Sequence, residues 1–145
     1  MATTTAAITI ASGDLTDNNI SVSNTATLTN QGTDTGMTKT TGLTRIVTAA
    51  VDNVVVINSG DTSGNYGAAA LGAANTINKG KIFIQNLNDR GDGTKFVTIL
   101  MQAVVIGRLY GGDWMFLPWE GGSGNDLEVT PSSTTDTTLE YIVFY

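Results

Sequence analysis

Residues 110–124 read YGGDWMFLPWEGGSG, with two Trp, a Phe, a Met and a Leu between two glycine pairs. In an extended chain successive side chains point to opposite faces. Trp114, Phe116 and Pro118 then share one face, and Met115, Leu117 and Trp119 share the other. The closing segment TLEYIVFY behaves alike, with Leu139, Tyr141, Val143 and Tyr145 on one side and Ile142 and Phe144 on the other. A sheet wetted on one side keeps a polar face, and neither of these strands has one. One face fills a core. The other is covered by a loop or arm of the same chain, by another copy, or by a ligand lying on Trp114 or Trp119. Each large apolar side chain fully buried contributes about 1.5–3 kcal/mol, so leaving the second face wet is costly. Pro118 lacks an N–H and suits an edge or a strand end, which points towards a subunit interface.

Outward from this stretch the same chemistry recurs. KGKIFIQNL alternates, with Ile82 and Ile84 on one face and Lys81, Phe83 and Gln85 on the other. NDRGDG, residues 88–93, reads as a hairpin turn of residues that tolerate positive φ. TKFVTILMQAVVIGRLY is too long for one flat strand and is predicted to bend near Gln102-Ala103 or at Gly107. DLEVT is a further short strand. Upstream, RIVTAAVDNVVVIN is β-branched and ends at the turn signal NSGDTSGN. YGAAALGAANTIN is the one stretch considered for a helix; Gly67 and Gly72 each cost about 1 kcal/mol in a helix interior, so a short turn or loop is expected there. Short β-rich runs separated by Gly, Asn and Asp predict an all-β, antiparallel, jelly-roll-like sandwich over residues 45–145.

Residues 1–44 are different. Thr dominates and large apolar groups are few. Ile8 and Ile10, then Ile20 and Val22, alternate weakly, and Leu28 follows. Thr favours strands but buries little area, so this zone is expected to be an extended arm or a thin strand pair. The stretch from Ile8 to Leu28 is the candidate for reaching a neighbouring subunit.

Composition narrows the chemistry. The chain of 145 residues is 41% hydrophobic and 14% charged, with a net charge of −6. Seven scattered Lys and Arg do not make the clustered basic surface that a phosphate backbone requires, and an acidic chain is repelled by nucleic acid and by anionic membranes. There is no Cys, which suits assembly in a reducing cytoplasm, and the first residues carry no signal-peptide pattern. Without His, the Ser–His–Asp and Cys–His machineries and His-ligated zinc are excluded. Carboxylates remain, and Asp113 with Glu120 is the one pair worth considering for hydrolysis, although both flank glycine turns. The Asn88, Asp89 and Asp92 cluster lacks the further ligand and distal Glu of a calcium loop, and Arg90-Gly91-Asp92 is too short to signify adhesion. Neither catalysis, a metal nor a cofactor is expected. For a sugar-binding module, Trp119 with Glu120 or Tyr66 with Asn65 would supply the ring to stack on and the adjacent polar group.

Taken together, KIFIQN, then IGRLYGGD, WMFLPW, DLEVT and LEYIVFY, preceded by AAITIASGDLTDNNISVSNTATLT and GLTRIV, resemble small β-sandwich virion proteins of tailed bacteriophages. Here Gly111-Gly112 stands where many such proteins have Pro-Gly ahead of the aromatic strand. The resemblance implies a capsid decoration (cement) protein, a homo-oligomer, often a trimer, that sits on the virion surface against the major capsid protein where capsomers meet. In that role Trp114, Phe116, Trp119, Tyr141 and Tyr145 are the expected packing anchors, with Ile8, Ile10, Ile20, Val22 and Leu28 in the arm. The alternative is a tail- or fibre-associated sandwich that binds host carbohydrate.

Overall fold

The computed structural model describes residues 4–13, 20–29, 34–37, 40, 42–48, 54–57, 80–119, 126–132 and 136–144. For Ile20, Thr44, Ile46, Thr48 and residues 54–57 it describes the backbone. Among these residues the chain is all-β, without a helix. It divides into two compact units, Met1–Thr38 and Lys39–Tyr145. The stretch considered for a helix, 66–78, lies outside the described residues.

In the first unit β1 (Thr5–Ser12) pairs antiparallel with β2 (Ile20–Thr27) over eight residue pairs. Of the two forms expected for this zone, the described residues take the strand pair. Ile10 stands opposite Val22, and Ile8 opposite Asn24. One face of this ribbon therefore carries Ile8, Ile10 and Val22, and the other carries only Thr, Ser and Ala. Ile10 and Val22 are exposed. Leu28 and Met37 are buried, and the Met37 N–H donates to the Leu28 carbonyl at 2.9 Å.

The second unit has two four-stranded antiparallel sheets. One runs β3 (Thr44–Thr48), β10 (Thr137–Phe144), β5 (Gly80–Asn86), β8 (Trp114–Trp119); the other runs β4 (Val54–Ile57), β9 (Leu127–Pro131), β6 (Val97–Met101), β7 (Val104–Leu109). The pairing is nested: β3 with β10, β4 with β9, β5 with β8 and β6 with β7. An eight-stranded antiparallel ribbon folded back at its middle gives this nested order. β5 and β10 alternate buried and half-buried along their whole length, as a strand with one face on a core must. Ile82, Ile84, Trp119, Leu139, Tyr141 and Val143 from the first sheet meet Val97, Ile99, Leu109, Leu127 and Val129 from the second in one buried cluster.

Two expectations about connections are corrected. The long segment 94–110 is not one bent strand. Gln102 and Ala103 adopt φ of 51° and 60°, the pair of positive values that defines a type I′ turn, so β6 reverses into β7. Val105 faces Leu100 and Gly107 faces Ile99, which leaves Ile106 as the extra residue of a bulge. The loop 87–96 is not a hairpin either, because β5 and β6 belong to different sheets. It turns by side-chain bonds rather than by positive φ. Asp89 Oδ1 accepts the Gly91 N–H at 2.9 Å and Asp92 Oδ1 accepts the Thr94 N–H at 3.0 Å.

Candidate functional site

The turn that precedes β8 sets the direction of that strand. Tyr110-Gly111-Gly112-Asp113 closes with the Asp113 N–H donating to the Tyr110 carbonyl at 2.9 Å, and Gly112 takes φ of +79°. Positive φ at the third position marks a type II turn. The Asp113 carboxylate accepts the Tyr110 N–H at 3.0 Å, so it caps the turn. Gly111 lies against the neighbouring loop, where a Cβ would meet the Asp89 carbonyl oxygen at 2.2 Å. Arg90 reaches over Gly112 and donates to its carbonyl at 3.2 Å. The turn thus aims β8 along β5 as the edge strand of its sheet among the described residues, where Pro118 needs no partner for a missing N–H.

Alternation then sorts the aromatic residues. Trp119 is buried at 2% exposure and Met115 and Leu117 pack on the same core. Trp114 points outwards at 49% exposure, Phe116 is half-buried beside it on the same face, and Pro118 is exposed. Tyr141 is buried in the core with Leu139 and Val143. Of the expected anchors, then, Trp119 and Tyr141 are core residues rather than surface anchors, because the two sheets close over them. Leu28 is likewise buried. Trp114, Phe116, Ile10 and Val22 remain on open faces, Ile8 is half-buried, and the Ile20 and Tyr145 side chains lie outside the described residues. Burial also removes Trp119 as a ring for sugar stacking; Glu120, Asn65 and Tyr66 lie outside the described residues.

The outer face of the first sheet carries two kinds of row across its strands. In one, Ile142, Phe83 and Phe116 stand side by side on β10, β5 and β8. In the other, Arg45, Glu140, Gln85 and Trp114 follow one another across all four strands. Arg45 is ion-paired with Glu140, through Oε1 alone. Phe83 and Trp114 touch with ring centroids 6.1 Å apart, tilted by 32°.

On the second sheet β7 is the edge strand among the described residues. Val104, Val105 and Ile106 are exposed there at 65%, 59% and 45%. Next to them Arg108 lies over the Phe96 ring at 4.8 Å, and Phe96 packs on Tyr110 at 5.3 Å, so the single charge of β7 is turned onto an aromatic ring. Sequence reasoning missed this edge because VVIGRL was read as the second half of one bent strand rather than as a strand of its own; the apolar run itself was the available signal.

Beneath both sheets' ends sits buried Asn86. Its Nδ2 donates to the carbonyls of Lys95 and Leu109, each at 3.0 Å, and its Oδ1 accepts the Asn88 N–H at 3.0 Å. In the Arg90-Gly91-Asp92 loop, Thr94 donates to Asp92 from its hydroxyl and its N–H, and these bonds hold the Asp92 carboxyl below the usual aspartate range. Among the described residues no group of three or more acidic side chains is placed to hold a metal ion. Comparisons with family models, with curated proteins and with solved structures found no match for the chain.

Proposed function

We propose that the chain is a structural virion component, a decoration protein that assembles as a homo-oligomer, a trimer in our reading, and binds the major capsid protein between capsomers. The observation that supports this reading is β7. The sandwich already seals its own core, yet Val104, Val105 and Ile106 stand exposed along a sheet edge. An exposed apolar edge is a template for another chain, since its backbone N–H and C=O groups seek a strand and its side chains seek cover. The β1–β2 ribbon adds a second open apolar stripe, Ile10 and Val22, on strands without a single charged residue. Two-stranded ribbons are marginal alone in water, so this one gains from a neighbour. Small contacts repeated by symmetry give avidity that no single contact has. The phage reading also draws on the strand and turn pattern set out from the sequence.

The test is co-sedimentation of the purified protein with heads of the phage that carries its gene. Saturable binding at a fixed ratio to capsid subunits supports the reading. Protein that stays in the supernatant at every concentration refutes it.

A further inference from the structure

We infer that the row Arg45–Glu140–Gln85–Trp114 on the outer face of the first sheet is a binding site for a neutral oligosaccharide. The inference stands apart from the assembly reading, which rests on other surfaces.

A pyranose has an apolar face of C–H groups and a rim of hydroxyls that both donate and accept. It is held by a flat ring beneath the first and by mixed polar groups beside the second. Trp114 supplies the ring. Its indole is half open to solvent, and Phe83 packs against it from the next strand, which sets its orientation before anything binds. A large amphipathic ring with few torsions binds at low entropic cost.

Gln85 supplies the first polar group. It is the direct cross-strand neighbour of Trp114, one strand spacing away, about 4.8 Å. Its side chain is half-buried on the same face, and its amide makes no hydrogen bond with any described residue. An amide both donates and accepts, as a hydroxyl requires. Glu140, one strand further, supplies an acceptor. Arg45 engages only Oε1, which leaves Oε2 without a partner among the described residues. Arg45 cancels the carboxylate charge, and that selects a neutral ligand over an anionic one. From Trp114 to Arg45 the row spans three strand spacings, about 14 Å, room for more than one ring.

A protein partner on this face would want the apolar row of Phe83, Phe116 and Ile142 and would bury the second oxygen of Glu140 and the Gln85 amide unsatisfied. A sugar satisfies both and still stacks on the indole. That comparison favours the sugar.

The experiment uses the full chain and records the two indole N–H signals by NMR while maltotriose, cellotriose or chitotriose is added to millimolar excess. Buried Trp119 is the internal control. The expected result is a saturable shift of the Trp114 signal with at least one trisaccharide while Trp119 stays still. Gln85→Ala and Glu140→Gln should each weaken that binding about tenfold, the loss of one good hydrogen bond, and Trp114→Ala should abolish it, with unchanged melting. Three results would overturn the site: no shift of Trp114 with any of the three sugars, a shift that survives both polar substitutions, or a Trp114 signal that moves only with protein concentration, which would make the face a protein contact.

Discussion

The side-chain amide of Asn86 donates to the carbonyl of Leu109 at 3.0 Å, inside the protein and away from water. This bond ties the last residue of β5 to the end of β7, in the other sheet. The same amide reaches Lys95, and its oxygen receives Asn88. Asn86→Ala strands two carbonyls and an N–H at once. Each buried polar group left alone costs about 1–3 kcal/mol, so the variant is expected to lose about 3 kcal/mol in urea unfolding. Asn86→Asp should fare no better, because a carboxylate cannot donate to the two carbonyls.

Gly111 and Gly93 make a controlled pair. A Cβ on Gly111 would collide with the Asp89 backbone at 2.2 Å, whereas one on Gly93 meets nothing within 4 Å. Gly111→Ala is expected to cost at least about 2 kcal/mol, since backbone and not a flexible tip must move. Gly93→Ala should change stability by less than about 0.5 kcal/mol. Thermal melts of the two variants check both.

The turn between β6 and β7 invites a stabilising change. Gln102 and Ala103 hold positive φ, where a Cβ costs about 1 kcal/mol or more per residue. Asn-Gly is the preferred pair for a type I′ turn. The double substitution Gln102→Asn, Ala103→Gly is expected to raise stability by about 1 kcal/mol and to leave the core signals of Ile99 and Val129 in place. A lower melting temperature would contradict the turn assignment.

Asp92 sets a pH dependence whose sign is fixed. Its folded pKa is depressed by the two bonds from Thr94, with Lys95 adding a smaller part. A carboxyl with a depressed folded pKa contributes stability that is present above its unfolded value, about 3.9, and is lost as pH falls through the folded one. The stability difference between the wild type and Asp92→Asn should therefore be constant from neutral pH down to about pH 4–5 and close below that. In a Thr94→Ala background the dependence should shrink. Denaturant melts across acid pH measure it.

How far the sequence foretold this fold depends on the element. In β5 the alternation set Ile82 and Ile84 apart from Lys81, Phe83 and Gln85, and the purely aliphatic face is the buried one. In β10 it set Leu139, Tyr141 and Val143 apart from Ile142 and Phe144, but with both sets apolar it did not say which is sealed. The reversal at Gln102-Ala103 was placed but not understood, since neither residue belongs to the usual I′ pair. The crossover after β5 was hidden for another reason: Asx bonds turn a chain in the same way whether the next strand joins this sheet or the opposite one. The two tryptophans show the limit for the site. Alternation separated Trp114 from Trp119, yet with both faces of the strand apolar, only the packing of the second sheet decides which indole is sealed. The row of Arg45, Glu140, Gln85 and Trp114 draws on four strands and depends on register, which no local pattern carries.

Whether the open strand surfaces of β7 and the β1–β2 ribbon join copies of this chain is read from the mass of the protein in solution. Light scattering across a concentration series should give a closed multiple of 15.1 kDa, three-fold in our reading, and Val105→Lys together with Ile106→Lys should reduce it to the single chain without lowering the melting of the core. A wild-type mass of 15.1 kDa at every concentration, unchanged by the two lysines, would contradict such joining.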